Sequence, residues 1–227
     1  MYYDWTYVLI LIGLALSLWA SAGMKNAYSK YSQVASSRGI TAAEAAERIL
    51  YGAGITDVRI ERVEGDLTDH YDSAAKTLRL SDTVYQSTSI AAIGVAAHEC
   101  GHAIQDSESY VPLRLRHFLV PIVNFGNQLS MPLFILGLVL GLYNSLVPIG
   151  IFLFSFVVVF HIVTLPVEFN ASARAVAILG DSGMVGSTEL PKVKKVLRAA
   201  AYTYLAATAA STLQLLRLLL IARRRRD

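Results

Sequence analysis

A single cysteine, Cys100, in 227 residues excludes an internal disulfide, so packing and any bound metal must hold this fold together. Charge is scarce too: Asp, Glu, Lys and Arg make up 16% of the chain, against about 25% in a soluble domain. With 54% hydrophobic residues and a mean hydropathy of +0.46, that scarcity excludes a wholly water-soluble domain and implies that much of the chain faces lipid. Internal repeats are missing, and the run Arg223 to Arg226 is the one low-complexity tract. The formal charge of +3 comes largely from that run and from Lys192, Lys194, Lys195 and Arg198. Both clusters adjoin apolar sequence, and neither is interleaved with the aromatic or glycine-rich patterns of a nucleic-acid binder. They are expected at anionic lipid headgroups, with the bilayer and not nucleic acid as partner.

What is present is a set of long apolar runs. The first, at about 7–23, follows Met-Tyr-Tyr-Asp rather than a basic segment, so a retained transmembrane helix is expected in preference to a secretory signal. Further spans are expected at about 122–146, 147–166 and 199–221, the middle two joined by an uncharged turn around Asn144 and Ser145. Gln214 and Arg217 weaken the last span, for which an interfacial helix is the rival. The remainder, about 24–115 plus 167–196, reads as the extramembrane part of a single domain covering 1–227. The fold class is therefore mainly α: a multi-pass membrane protein with about four transmembrane helices and a small α+β unit holding a short sheet.

Within that unit, Thr41 and Glu44 form a capping box that opens a helix through Leu50, closed by Gly52 and Gly54. Residues 57–63 alternate as a half-buried strand, and Asp69 to Asp72 read as a turn. Lys76 to Leu80 alternate again. They suit either an edge strand that pairs with an extended substrate or an amphipathic strand inside a small sheet. A helix is expected from about Ser89 to Gln105, packing through a narrow stripe of Ile90, Ile93, Ala97, Gly101 and Ile104. Its small residues, among them Gly94, Ala96 and Ala103, allow neighbours to approach closely.

That helix carries His98-Glu99-Cys100-Gly101-His102, an H-E-x-x-H string. Residues four apart share a helix face, so His98 and His102 can offer two imidazole nitrogens to one ion. Glu99 lies about 100° round the helix from His98, placed to reach a water on that ion without being a ligand. A site of this kind takes a third ligand, a carboxylate, from a second helix. Glu168 qualifies by topology: the histidines precede the second span and Glu168 follows the third. Two crossings return the chain to the same membrane face.

Three stretches, V-A-A-H-E-C-G-H-A around the histidines, Asp69-His70-Tyr71-Asp72 before K-T-L-R-L-S, and V-E-F-N-A-S-A-R-A around Glu168, resemble the YugP-like neutral zinc metallopeptidases of bacterial membranes. The resemblance covers nearly the whole chain. It implies a zincin-like catalytic unit of the gluzincin type with one Zn2+ per chain, held by His98, His102 and Glu168. It also implies a location in the cell membrane. The Glu168 segment is similar as well to the E-F-x-A-D pattern of HtpX-type and prenyl-protein membrane peptidases, where the Asp orients a zinc-binding His. Ser172 stands at that place here, and Asn170 and Arg174 are the alternative candidates for the role.

The expected chemistry is peptide-bond hydrolysis, with Glu99 as general base toward a metal-activated water and a membrane-associated protein or peptide as substrate. His70 is expected either to satisfy loop backbone or to touch substrate. Cys100, facing away from the ligand side, is expected to be a small packing residue and not a nucleophile. His117 and His161 are expected to pack in the bundle or at the interface. A site-2-type intramembrane protease is excluded, because the apolar stretch Ile90 to Ala97 is too short to cross and an L-D-G signature is missing. A non-catalytic scaffold with a structural zinc is the alternative from another class, but such a site needs four protein ligands and only three are found. Lys25, Lys30, Arg114, Arg116 and the Lys192 cluster favour a cytoplasmic catalytic face; with four spans the terminal arginines would then lie outside, against the positive-inside trend, unless the last segment does not cross or the orientation is reversed.

Overall fold

A computed structural model describes residues 4–224. The element order is α1 (Tyr7–Ser32), α2 (Ala42–Gly52), β1 (Arg59–Val63), β2 (His70–Asp72), β3 (Thr77–Ser81), α3 (Asp82–Tyr85), α4 (Ile90–Ser107), α5 (Val111–Val139), α6 (Leu146–Asp181) and α7 (Leu190–Arg224). The protein is a mainly α membrane protein: α1, α5, α6 and α7 are each long and apolar enough to span a bilayer. Within their apolar windows no more than 28% of the residues are buried, and Leu11, Leu14, Leu18 and Trp19 are bare on α1. A helix that is apolar all round and uncovered by protein belongs in lipid. The expectation for Arg225 and Arg226 lies outside the described residues.

The chain divides into two compact units. The first contains the start of α1, Arg114–Pro166 and the last part of α7 from Thr203. Phe134, Val147, Phe154, Val157, Val158 and Leu218 form its core. Glycines set its helix spacing: a Cβ at Gly13 would lie 3.1 Å from the Ala210 Cα, and one at Gly150 would lie 2.7 Å from the Ser130 carbonyl oxygen. The reversal expected at Asn144 and Ser145 occupies residues 140–145, where Gly141 takes the left-handed φ of 70°. Arg217, which weakened the last apolar run in sequence, is answered within this unit. Its guanidinium is 3.7 Å from the Asp4 carboxylate and lies over the Tyr7 ring, 4.5 Å from the centroid. The start of α1 and the last third of α7 are therefore side by side.

The second unit, Ala22–Leu113 with Val167–Tyr202, is built around α4. Thr41 and Glu44 make both bonds of the capping box that starts α2, and the Ser89 hydroxyl accepts from the Ala92 N–H to start α4. The packing surface of α4 is far wider than the expected stripe. Ile90 to Gly94 are all buried, as are Ala96, Ala97, Glu99 to Gln105, so α4 runs through the core rather than over it. Ala45, Ala46 and Ile49 of α2 cover one side and Ala175 and Leu179 of α6 contribute to the same core. Fully buried Leu78, Leu80, Ile90 and Ile93 each contribute about 1.5–3 kcal/mol of burial free energy.

The sheet has the order β1-β3-β2, with β1 parallel and β2 antiparallel to β3. One expectation changes here. Asp69 to Asp72 are not simply a turn, because His70–Asp72 pair with Thr77–Arg79 as β2. Of the two readings of the next strand, the interior one holds: 77–81 is central, paired with β1 along its length and with β2 at 77–79, and buried at Thr77, Leu78, Leu80 and Ser81. α6 passes Pro166 as one continuous helix, since a proline removes one ladder bond without requiring that the helix stop.

Candidate metal centre

α4 meets α6 where side chains are smallest. A Cβ at Gly101 would stand 2.7 Å from the Ala171 carbonyl oxygen, so the two backbones touch. Ala171 and Ala175 are fully buried at this crossing. Helical spacing then directs the polar groups. His98 and His102 stand one turn apart on α4, and Glu168 and Ser172 one turn apart on α6.

The Nε2 of His98 is 3.2 Å and that of His102 3.7 Å from the same Glu168 oxygen, Oε2. The imidazole centroids are 4.8 Å apart with the rings at 81°. One donor atom from each of these three residues lies within 4.8 Å of the others, a grouping that can hold a metal ion. His102 and Glu168 are buried and His98 partly so.

The far nitrogens of both rings are engaged as well. Ser172 Oγ is 3.1 Å from His98 Nδ1, so Glu168 and Ser172 hold opposite sides of one imidazole. His102 Nδ1 is 3.0 Å from Gln105 Oε1. Gln105, fully buried, spends its amide N–H groups on the Val167 carbonyl and on Asn170 Oδ1, at 2.8 and 2.9 Å. Its Oε1 can only accept, which places a proton on His102 Nδ1 and turns Nε2 toward Glu168. Asn170 Oδ1 also accepts from Arg174 Nε at 2.8 Å, and the Arg174 guanidinium forks onto the Glu108 carboxylate at the end of α4. A continuous chain of bonds thus runs from the exposed Glu108 to the buried His102.

Glu99 is not among the three converging groups. Its Oε2 accepts the Tyr71 backbone N–H of β2 at 3.0 Å. Burial pushes its pKa up, against the pull of the neighbouring His102 and His98. For His102, burial works downward, but the hydrogen bond to Glu168 and the Glu99 charge outweigh it and raise the pKa. The D-H-Y-D segment explains itself as the holder of that backbone N–H. Asp69 accepts from the Ser81 N–H and hydroxyl, and Asp72 accepts from the N–H groups of Ala74 and Ala75 in the turn that follows. The Tyr71 hydroxyl donates to Asp106 at 2.8 Å, which also pairs with Lys76 at 2.8 Å.

Of the residues singled out in sequence, His98, Glu99, His102, Glu168, Asn170, Ser172 and Arg174 come together. His70 is exposed, with Nδ1 on the Thr68 carbonyl at 2.8 Å and Nε2 3.3 Å from Arg79, so loop backbone is its partner. Cys100 packs its buried Sγ 3.7 Å from the Ala46 carbonyl. Sequence reasoning overlooked Gln105. Its signal was its spacing, three residues beyond His102 and so on the same helix face.

Two imidazoles and one carboxylate, converging and braced from behind, match the donor set of a three-protein-ligand zinc site. A helical membrane fold carrying an H-E-x-x-H helix and a third carboxylate beside it is the arrangement a membrane metalloprotein would need. Residues 6–223 match the family model described as "Putative neutral zinc metallopeptidase". The chain is 48% identical over 219 residues to the "Putative membrane protease YugP" of Bacillus subtilis (strain 168), covering 96% of this chain and 97% of that protein. No solved structure matches it. The chain belongs to the neutral zinc metallopeptidase family.

Proposed function

We propose that this chain is a membrane-embedded zinc endopeptidase in which His98, His102 and Glu168 hold one Zn2+ and Glu99 is the general base. The observation that carries the reading is the meeting of both histidine Nε2 atoms at one Glu168 oxygen, with Glu99 beside them and outside the donor set. Bound there, zinc supplies a Lewis acid that polarises a carbonyl and brings the pKa of a water to about 7. Glu99 takes the proton of the attacking water and delivers it to the leaving amine. The Tyr71 N–H occupies Glu99 Oε2, which leaves Oε1 for that proton and keeps the carboxylate aimed. Gln105 and Ser172 fix the orientation of the imidazoles.

The substrate is a protein or peptide presented at the membrane surface. The cytoplasmic side of the cell membrane is supported by Lys25, Lys30, Arg114, Arg116 and the Lys192 cluster, which flank the spans on the side of the site. The deciding experiment measures zinc content and peptide cleavage for wild type and Glu99→Gln. The expected result is unchanged zinc with turnover reduced by about 10²-fold or more. Normal cleavage by the variant overturns the role of Glu99. A wild type that holds zinc stoichiometrically and cleaves nothing supports the scaffold alternative instead.

A further inference from the structure

A cavity lies in the site-bearing unit with Ser172 in its wall. It is a groove of about 530 Å³ between α6 and α7. Phe169, Ala173 and Val176 line it from α6, one stripe at helical spacing. Lys194, Lys195 and Arg198 line it from α7, above an apolar floor that includes Leu197 and Ala201. All three cations are exposed, and none has a hydrogen bond or ion pair with any described residue. Elsewhere in this unit Arg174 pairs with Glu108, Lys76 with Asp106 and Arg79 with Asp72, while Lys25, Arg48 and Lys192 stand apart from this groove without an ion pair among the described residues. Three unanswered cations over an apolar trough select an anion that carries a greasy body. Both lining helices belong to candidate spans, and the groove residues lie at the extramembrane ends of those two helices.

We propose that this groove is a binding site for an anionic phospholipid, with the headgroup phosphate on Lys194, Lys195 and Arg198 and an acyl chain along Phe169, Ala173 and Val176. Charge complementarity selects an anionic over a zwitterionic lipid, and the apolar lining selects a lipid over free phosphate. Ser172 forms part of the groove wall while its hydroxyl meets His98 Nδ1, so the bound lipid lies directly behind a candidate metal ligand.

The test uses the purified full chain in uncharged detergent, titrated with phosphatidylglycerol or phosphatidylcholine, reading retained lipid by native mass spectrometry and the unfolding midpoint. Phosphatidylglycerol is expected to bind roughly a hundredfold more tightly, three cations at tenfold or less each. The variant Lys194→Gln/Lys195→Gln/Arg198→Gln should fall to the phosphatidylcholine level. Because those side chains are exposed, it should fold normally. Ala173→Trp, which fills the trough and spares the cations, should weaken retention of both lipids. Equal retention of the two lipids, or phosphatidylglycerol held undiminished by the triple variant, overturns the proposal. It is overturned too if glycerol phosphate or inorganic phosphate stabilises as well as the lipid, or if an acidic-tailed apolar peptide displaces the lipid and binds more tightly. Neither readout needs zinc or turnover, so a failed peptidase assay leaves this test intact.

Discussion

Gln105 accepts the His102 Nδ1 proton at 3.0 Å and, with its own amide, ties α4 to the backbone of α6 at Val167. One side chain therefore orients a candidate metal ligand and fastens the helix that bears Glu168. Gln105→Ala should leave a buried imidazole N–H unpaired and lower zinc affinity about 10–100-fold. Competition with a chromogenic chelator measures it, and an unchanged dissociation constant would refute the bracing role. Glu99→Gln, by contrast, should leave that constant unaltered.

Ser172 meets His98 Nδ1 at 3.1 Å with a neutral hydroxyl. Ser172→Asp should give His98 a charge-assisted partner and slow zinc loss to chelator, whereas Ser172→Ala should speed it several-fold. Zinc release faster from the Asp variant than from wild type would show that the hydroxyl is not interchangeable with a carboxylate here.

At Gly101 a methyl group would collide with backbone rather than with a flexible side-chain tip. Gly101→Ala should force α4 and α6 apart, costing about 1–3 kcal/mol of stability and most of the bound zinc. Thermal unfolding monitored together with metal content checks both. Gly52→Ala, in open space at the end of α2, is the control and should be near neutral in packing.

Arg174 supports the site at one remove, through Asn170 and Gln105. Arg174→Lys keeps the charge but loses the fork onto Glu108 and the Nε bond to Asn170. It should behave like Arg174→Ala, weakening zinc binding a few-fold with kcat of the zinc-loaded protein nearly unchanged. Full rescue by lysine would mean that charge alone matters.

How much of this was legible in the chain follows from which constraints are local. The H-E-x-x-H spacing, the Thr41–Glu44 capping box and the long apolar runs each declare themselves within a few residues. Glu168 could be placed by counting crossings, a parity argument that needs no coordinates. β2 escaped because three polar residues become a strand only by pairing with β3, 70–72 against 77–79. The central position of β3 escaped for a related reason. Its parallel partner β1 lies on the far side of β2 in sequence, so alternation along the chain left edge and interior positions equally open. Gln105 marked only the end of the expected helix, because it is the arrival of α6 over it that buries its amide.

The protein's one thiol is sealed in the core against Ala46, and burial pushes its pKa up, away from the reactive thiolate. Wild type thus already serves as a silent background for maleimide chemistry, and nothing native has to be removed first. A cysteine engineered at Leu140, or in place of Lys195, becomes a single addressable handle. Two such handles and a membrane-impermeant reagent are enough to map topology in living cells.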